Sequence, residues 1–133
     1  MDAGPLVAFL DRSERHHAWV TQAWDVLGPR VITCEAALAE AAYLVGRIPG
    51  GAERLDELLA TGGFRIEFDL AGTLGEVLSL RRRFRSVPMS LADACLVRMA
   101  ELHGSSSVMT LDRDFLVYRK NGRGRIPLIA PFV

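Results

Sequence analysis

The chain has 133 residues, half of them hydrophobic and 24% charged, and its 16 basic side chains balance its 16 acidic ones at a pI near 6.8. Zero net charge excludes a uniformly basic nucleic-acid binder, and a chain of this length with this composition predicts one globular domain spanning residues 1–133. No apolar run approaches the ~20 residues that cross a bilayer, and Asp2 stands where a secretory leader carries cations, so no membrane association and a cytoplasmic location are expected.

Residues 4–10 are apolar behind Asp2, and residues 14–27 carry Ala18, Trp19, Ala23, Trp24 and Leu27 at helical spacing, which predicts two early helices. The tryptophans read as core or dimer-interface residues. Val31–Thr33 is a short β-branched run, a strand, and Ala36–Val45 follows as an almost wholly apolar, buried helix with Glu40 at its centre. Pro49, Gly50 and Gly51 break the chain before residues 52–63, a short amphipathic helix closed by glycines. Phe64–Phe68 alternates as a strand. Residues 72–85 place Leu74, Val77, Leu78 and Phe84 at helical intervals until Pro88 stops the element. Ser90 starts a further helix that ends near Gly104. Val108–Leu111 reads as a strand, residues 112–120 as a turn and short helix, and Ile126–Ala130 as a last strand. Strands alternating with helices predict a mainly parallel sheet covered on both faces, with ligands bound beyond the carboxyl ends of the strands. Cys34 and Cys95, without a CxxC or a nearby His pair, read as buried hydrophobes in a reducing compartment.

Four acids stand out, three of them with an ordinary structural explanation. Asp2 fits the cap of the first helix, Asp93 the third position of a capping box opened by Ser90, and Asp112 the cap of the turn that holds Asp114. Glu40 is surrounded on its helix by alanines, Leu38, Leu44 and Val45. A buried carboxylate there must be paired with an arginine, protonated or bound to a cation. Glu35, at the helix start, is explained by the helix dipole and is set aside. Asp2 and Asp112 fall at or just after strand ends, Asp93 in a first helical turn and Glu40 a turn and a half after a strand. In a parallel sheet all four converge on one edge. Carboxylates without Cys or His ligands are the environment of Mg²⁺ or Mn²⁺, which points to metal-assisted phosphodiester hydrolysis.

The blocks DAGPLVAFLDRSERHHAWV, AALAEAAYLV, MSLADACLVRMAEL and VMTLDRDFLVYR with a closing IPLI resemble, in order and spacing, the PIN-domain family, especially the VapC-type toxins of bacterial toxin–antitoxin pairs. The resemblance spans essentially the whole chain. It implies a PIN-like three-layer α/β sandwich and an Mg²⁺- or Mn²⁺-dependent endoribonuclease. It carries the metal-binding acids onto Asp2 and Asp93, the helix acid onto Glu40 and the acid of the TLD block onto Asp112. Asp114 then becomes a water-mediated or second-metal ligand, and Thr110 a hydrogen-bonding neighbour. It further implies a homodimer held inactive by a cognate antitoxin protein. Family members carry several apolar residues before the first acid, forming a central strand, whereas Met1 alone precedes Asp2 here. A start assigned too late would account for this, and added upstream residues are then expected to raise the melting temperature. The alternative is a decayed PIN-like module that binds RNA or a protein without cutting. A dehalogenase-like phosphatase and a receiver domain both fit badly, the first for want of Asp-x-Asp, the second for want of a suitable lysine.

Basic residues are unevenly placed. Residues 1–80 hold 6 Arg and 12 acids, net −6, whereas residues 81–133 hold 9 Arg, Lys120 and 4 acids, net +6. The second half thus offers a polyanion a basic surface. Arg113, Arg119, Lys120 and Arg123, just beyond the TLD block, are the RNA-binding candidates, together with Arg125. Arg81, Arg82, Arg83 and Arg85 read as a solvated helix face, and His16, His17 and His103 are given no catalytic role.

Overall fold

Asp2 accepts the N–H of Ala3 on its side chain and so starts α1 (Ala3–Leu10) in the computed structural model, which describes residues 1–133. The second helix, α2 (His17–Leu27), begins three residues later than its apolar spacing predicts. The intervening side chains bond their own backbone instead: Asp11 accepts the N–H and hydroxyl of Ser13, and Glu14 accepts the N–H of His16. Trp24 is buried and stacks on Phe9 with ring centroids 4.4 Å apart, while Trp19 is half-buried against the same cluster.

After β1 (Ile32–Thr33), α3 (Glu35–Val45) turns directly into α4 (Gly51–Ala60). The approach is close enough that a Cβ on Gly51 would lie 2.0 Å from the Val45 carbonyl oxygen. β2 is only Arg65–Ile66 and exposed, with Phe64 buried beside it. α5 (Leu74–Arg83) and α6 (Leu91–Leu102) follow, then β3 (Val108–Met109) and a single 3₁₀ turn, Arg113–Leu116. An antiparallel hairpin, β4 (Arg119–Lys120) and β5 (Gly124–Arg125), stands where a short helix was expected to end. Its turn places Asn121 and Gly122 at positive φ, and an Asn-Gly pair is the usual sequence signal of such a turn. β6 (Leu128–Ile129) closes the chain.

β1 pairs in parallel with β2, and β3 in parallel with β6. Between these pairs lie Met1 and Asp2. The Met1 amino group donates to the Ile32 carbonyl at 2.7 Å, the Asp2 N–H donates to Met109 at 2.9 Å, and the Thr33 hydroxyl donates to the Met1 carbonyl at 2.7 Å. Two residues thus bridge the sheet at the place of the central strand that the resemblance implies, in keeping with Met1 alone preceding Asp2. Neighbouring strand residues then face opposite ways: Ile32, Val108 and Leu128 pack with α5 and α6, whereas Val31, Met109 and Ile129 pack with α1, α2 and α4. This alternation is the signature of a sheet with a core on each face, the expected three-layer α/β sandwich. Cys34 and Cys95 are buried and free. No helix is long and apolar enough to cross a membrane.

Candidate active site

Each of the three predicted caps is real. The Asp2 carboxylate holds the N–H of Ala3 at 2.7 Å, Ser90 and Asp93 form a reciprocal capping box at the start of α6, and Asp112 accepts the N–H of Asp114 at 2.8 Å. Three acids that begin helical turns are thereby fixed at the edge where β1, β3 and the terminal pair end. The helix dipoles behind them favour their negative charge.

These three and Glu40 line one open cleft of about 510 Å³, together with Gly4, Leu44, Leu111, Arg15 and Arg113. Four elements far apart in the chain contribute one carboxylate each, as the spacing predicted. Glu40 reaches the cleft for a different reason than expected. Its helix is not buried all round: Ala39, Glu40, Ala42, Tyr43 and Leu44 are exposed, Tyr43 by 70%. Glu40 has no arginine partner; the molecule's ion pairs are Arg65–Glu67, Arg98–Glu76 and Arg98–Glu101. The apolar run that suggested burial is mostly alanine, which says little about which helix face turns inward.

Hydrogen bonds hold the acids in place. Thr110, fully buried, donates its hydroxyl to Asp2 Oδ2 at 2.7 Å and accepts the N–H of Asp112 at 2.9 Å, so one hydroxyl ties two cleft acids together. Tyr118, also fully buried, donates to Asp93 Oδ2 at 2.9 Å. Burial raises the Asp2 carboxyl to about 6, despite opposing hydrogen bonds from Thr110 and Ala3. Glu40 and Asp114 are also raised, first by partial loss of water and then by the charges of Asp93 and Asp112. The Tyr118 phenol is pushed up by burial and by its bond to Asp93, and it stays a donor. No three acids converge as a ready-made ligand cage.

The basic candidates separate. Arg113 lines the cleft, its guanidinium 4.9 Å from the Phe132 ring centroid. Arg119, Lys120 and Arg123 are not brought there. Arg119 spends its guanidinium on the carbonyls of residues 116–118, Lys120 reaches the Gly104 carbonyl beyond the end of α6, and Arg123 lies in the hairpin turn. Asn121, in the same turn, bonds Glu101 in the last turn of α6, the end opposite Asp93. Arg81, Arg82 and Arg85 remain exposed around Pro88 and Met89. Two site residues escape the sequence reading. Arg15 sits in the DRSERHH block without any spacing that marks it. Tyr118 lies 25 residues from the acid it contacts, and no local pattern links them.

The sequence profile of the PIN domain matches residues 1–121. The chain is also 27% identical over 132 residues to ribonuclease VapC26 of Mycobacterium tuberculosis, covering 97% of this chain and 98% of that protein. The match runs from the first cleft acid through the last, across the three-layer sandwich that gathers them, and the chain belongs to the PIN-domain family.

Proposed function

We propose that this protein is a divalent-metal-dependent endoribonuclease of the VapC type, the toxin of a type II toxin–antitoxin pair. The observation that carries this reading is the meeting of Asp2, Glu40, Asp93 and Asp112 in one cleft. The donor set fits Mg²⁺ or Mn²⁺: it is all oxygen, anionic and free of Cys and His. Four carboxylates against Arg15 and Arg113 leave a formal charge of −4 + 2 = −2, which one divalent ion neutralises.

Asp2 and Asp93 are the direct ligands in this reading, because their carboxylates are the ones oriented by buried hydroxyls, Thr110 and Tyr118. A bound ion would supply Lewis-acid charge beside the phosphodiester. Glu40 and Asp112 complete the pocket and orient the attacking water. Glu40, raised first by partial loss of water and then by the charges of Asp93 and Asp112, is suited to take the proton of that water. Asp114, bonded through its N–H to Asp112, serves as a water-mediated or second-ion ligand. Arg113 contacts RNA at the cleft, whereas Arg119, Lys120 and Arg123 contact it only if the strand extends past α6. A cytoplasmic homodimer restrained by an antitoxin completes the proposal; the likeness to the mycobacterial ribonuclease VapC26 supports the ribonuclease activity within it.

The test is Mn²⁺-dependent cleavage of total cellular RNA by wild type and Asp93→Asn, with excess chelator as the blank. Asn keeps the shape and an acceptor for Tyr118 but removes the charge, and cleavage is expected to fall by at least about 100-fold. Equal activity, or silence of both proteins, would move the non-cutting module ahead.

A further inference from the structure

The cleft contains two cations that its acids do not use. Arg15 and Arg113 line it beside four carboxylates, yet neither takes part in any of the molecule's ion pairs. Guanidinium among carboxylates ordinarily forms a fork-to-fork pair. Around Arg15 the nearby acids are committed elsewhere, Asp11 to Ser13 and Glu14 to the N–H of His16. Arg113 lies over Phe132, a contact that steadies the guanidinium plane at the rim without consuming its charge. The two come from opposite ends of the chain, Arg15 from the turn between α1 and α2, Arg113 from the 3₁₀ turn after β3. They line the same cleft.

Four carboxylates repel an entering polyanion unless cations in the cleft meet its phosphates. An ion at Asp2 and Asp93 answers only for the phosphate being cut. We propose that Arg15 and Arg113 form a two-point clamp for the phosphates flanking the scissile one in a single-stranded RNA. This rests on the ribonuclease reading and adds to it the residues that position the strand. The cleft is open and of about 510 Å³, and the strand we assign to it is a bent single strand, whose unpaired backbone is free to turn its phosphates toward both arginines.

The clamp is tested by fluorescence anisotropy of a labelled single-stranded RNA oligonucleotide on the intact protein, with Ca²⁺ in place of the working ion, across a salt series. Arg15→Ala and Arg113→Ala are each expected to weaken binding about tenfold. Each is also expected to reduce the slope of log affinity against log salt by about 0.7, the value for one lost phosphate contact on a single strand. Arg15→Lys keeps the slope but not the full affinity, because an ammonium replaces the charge and not the fork. Mn²⁺ binding, read by electron paramagnetic resonance of the free ion, is expected to be no weaker in any of the three variants. Alanine variants that bind RNA as wild type does would overturn the clamp. So would a parallel loss of Mn²⁺ affinity, which would make the arginines part of the scaffold of the acids. A wild type that binds RNA in this way but cuts none would sink the ribonuclease reading and leave Arg15 and Arg113 as a phosphate-binding pair with no scissile phosphate between them.

Discussion

Thr110 touches two acids with one hydroxyl, and Asp2 is the acid for which that matters more. It is buried, caps α1, and carries a carboxyl raised from 3.8 to about 6. Between those values the native state binds more protons than the unfolded chain, so stability falls as the pH rises through that window. The contribution favours the native state in full below about 3.8 and is lost by about 6. At neutral pH the buried charge is therefore a standing cost in the metal-free protein. Asp2→Asn, which keeps an acceptor for Ala3, is expected to raise the melting temperature in chelator at about pH 7.5 and to change it much less at about pH 4. Equal shifts at the two pH values would show that charge burial is not the source. At this scale the acids were legible, since caps have short-range rules. Tyr118 was not, because its bond to Asp93 joins two elements through a core contact.

Among the elements, α6 matters most to the cleft, because the acid it brings there is also one half of its capping box. Asp93 accepts the N–H of Ser90 while Ser90 accepts the N–H of Asp93. The structural and functional explanations of this acid therefore do not compete. Ser90→Ala is expected to cost about 1 kcal/mol in urea melts. It is also expected to lower Mn²⁺-dependent cleavage, because the first turn no longer holds Asp93; unchanged cleavage would show that Tyr118 alone orients the acid. The helices were predicted well, with ends displaced by one to three residues where turn side chains captured the backbone, as at Asp11 and Glu14. Two expectations failed at this scale. The burial of α3 was overread from alanines, and the β4–β5 hairpin was missed although Asn121-Gly122 announced it.

At the scale of the molecule, the charge asymmetry of the chain does not survive folding at the site. Asp2, Glu40 and Arg15 come from the acidic half, Asp93, Asp112 and Arg113 from the basic half, and the cleft draws two acids and one arginine from each. On the proposed reading, a cation bound against its residual negative charge stabilises the whole fold. With Mn²⁺ at 100 times its dissociation constant, mass action adds about 2.7 kcal/mol to the folded state. Wild type is thus expected to melt several degrees higher in Mn²⁺ than in chelator, and Asp93→Asn to lose that shift; a shift retained in the variant would place the ion elsewhere.

What the residues determined by themselves was local: the order of the main helices and strands, the caps, three acids placed at element starts and a fourth, Glu40, inside α3. These follow from interactions within a turn or two, which any sequence window contains. Only the tertiary structure decided which cations share the cleft, Arg15 and Arg113 and not Arg119, Lys120 or Arg123. It also decided that Met1 and Asp2 bridge the two halves of the sheet. Those outcomes depend on sheet register and on contacts such as Thr110 to Asp2, 108 positions apart. No periodicity encodes such a distance; it exists only once α1, β1 and β3 have packed.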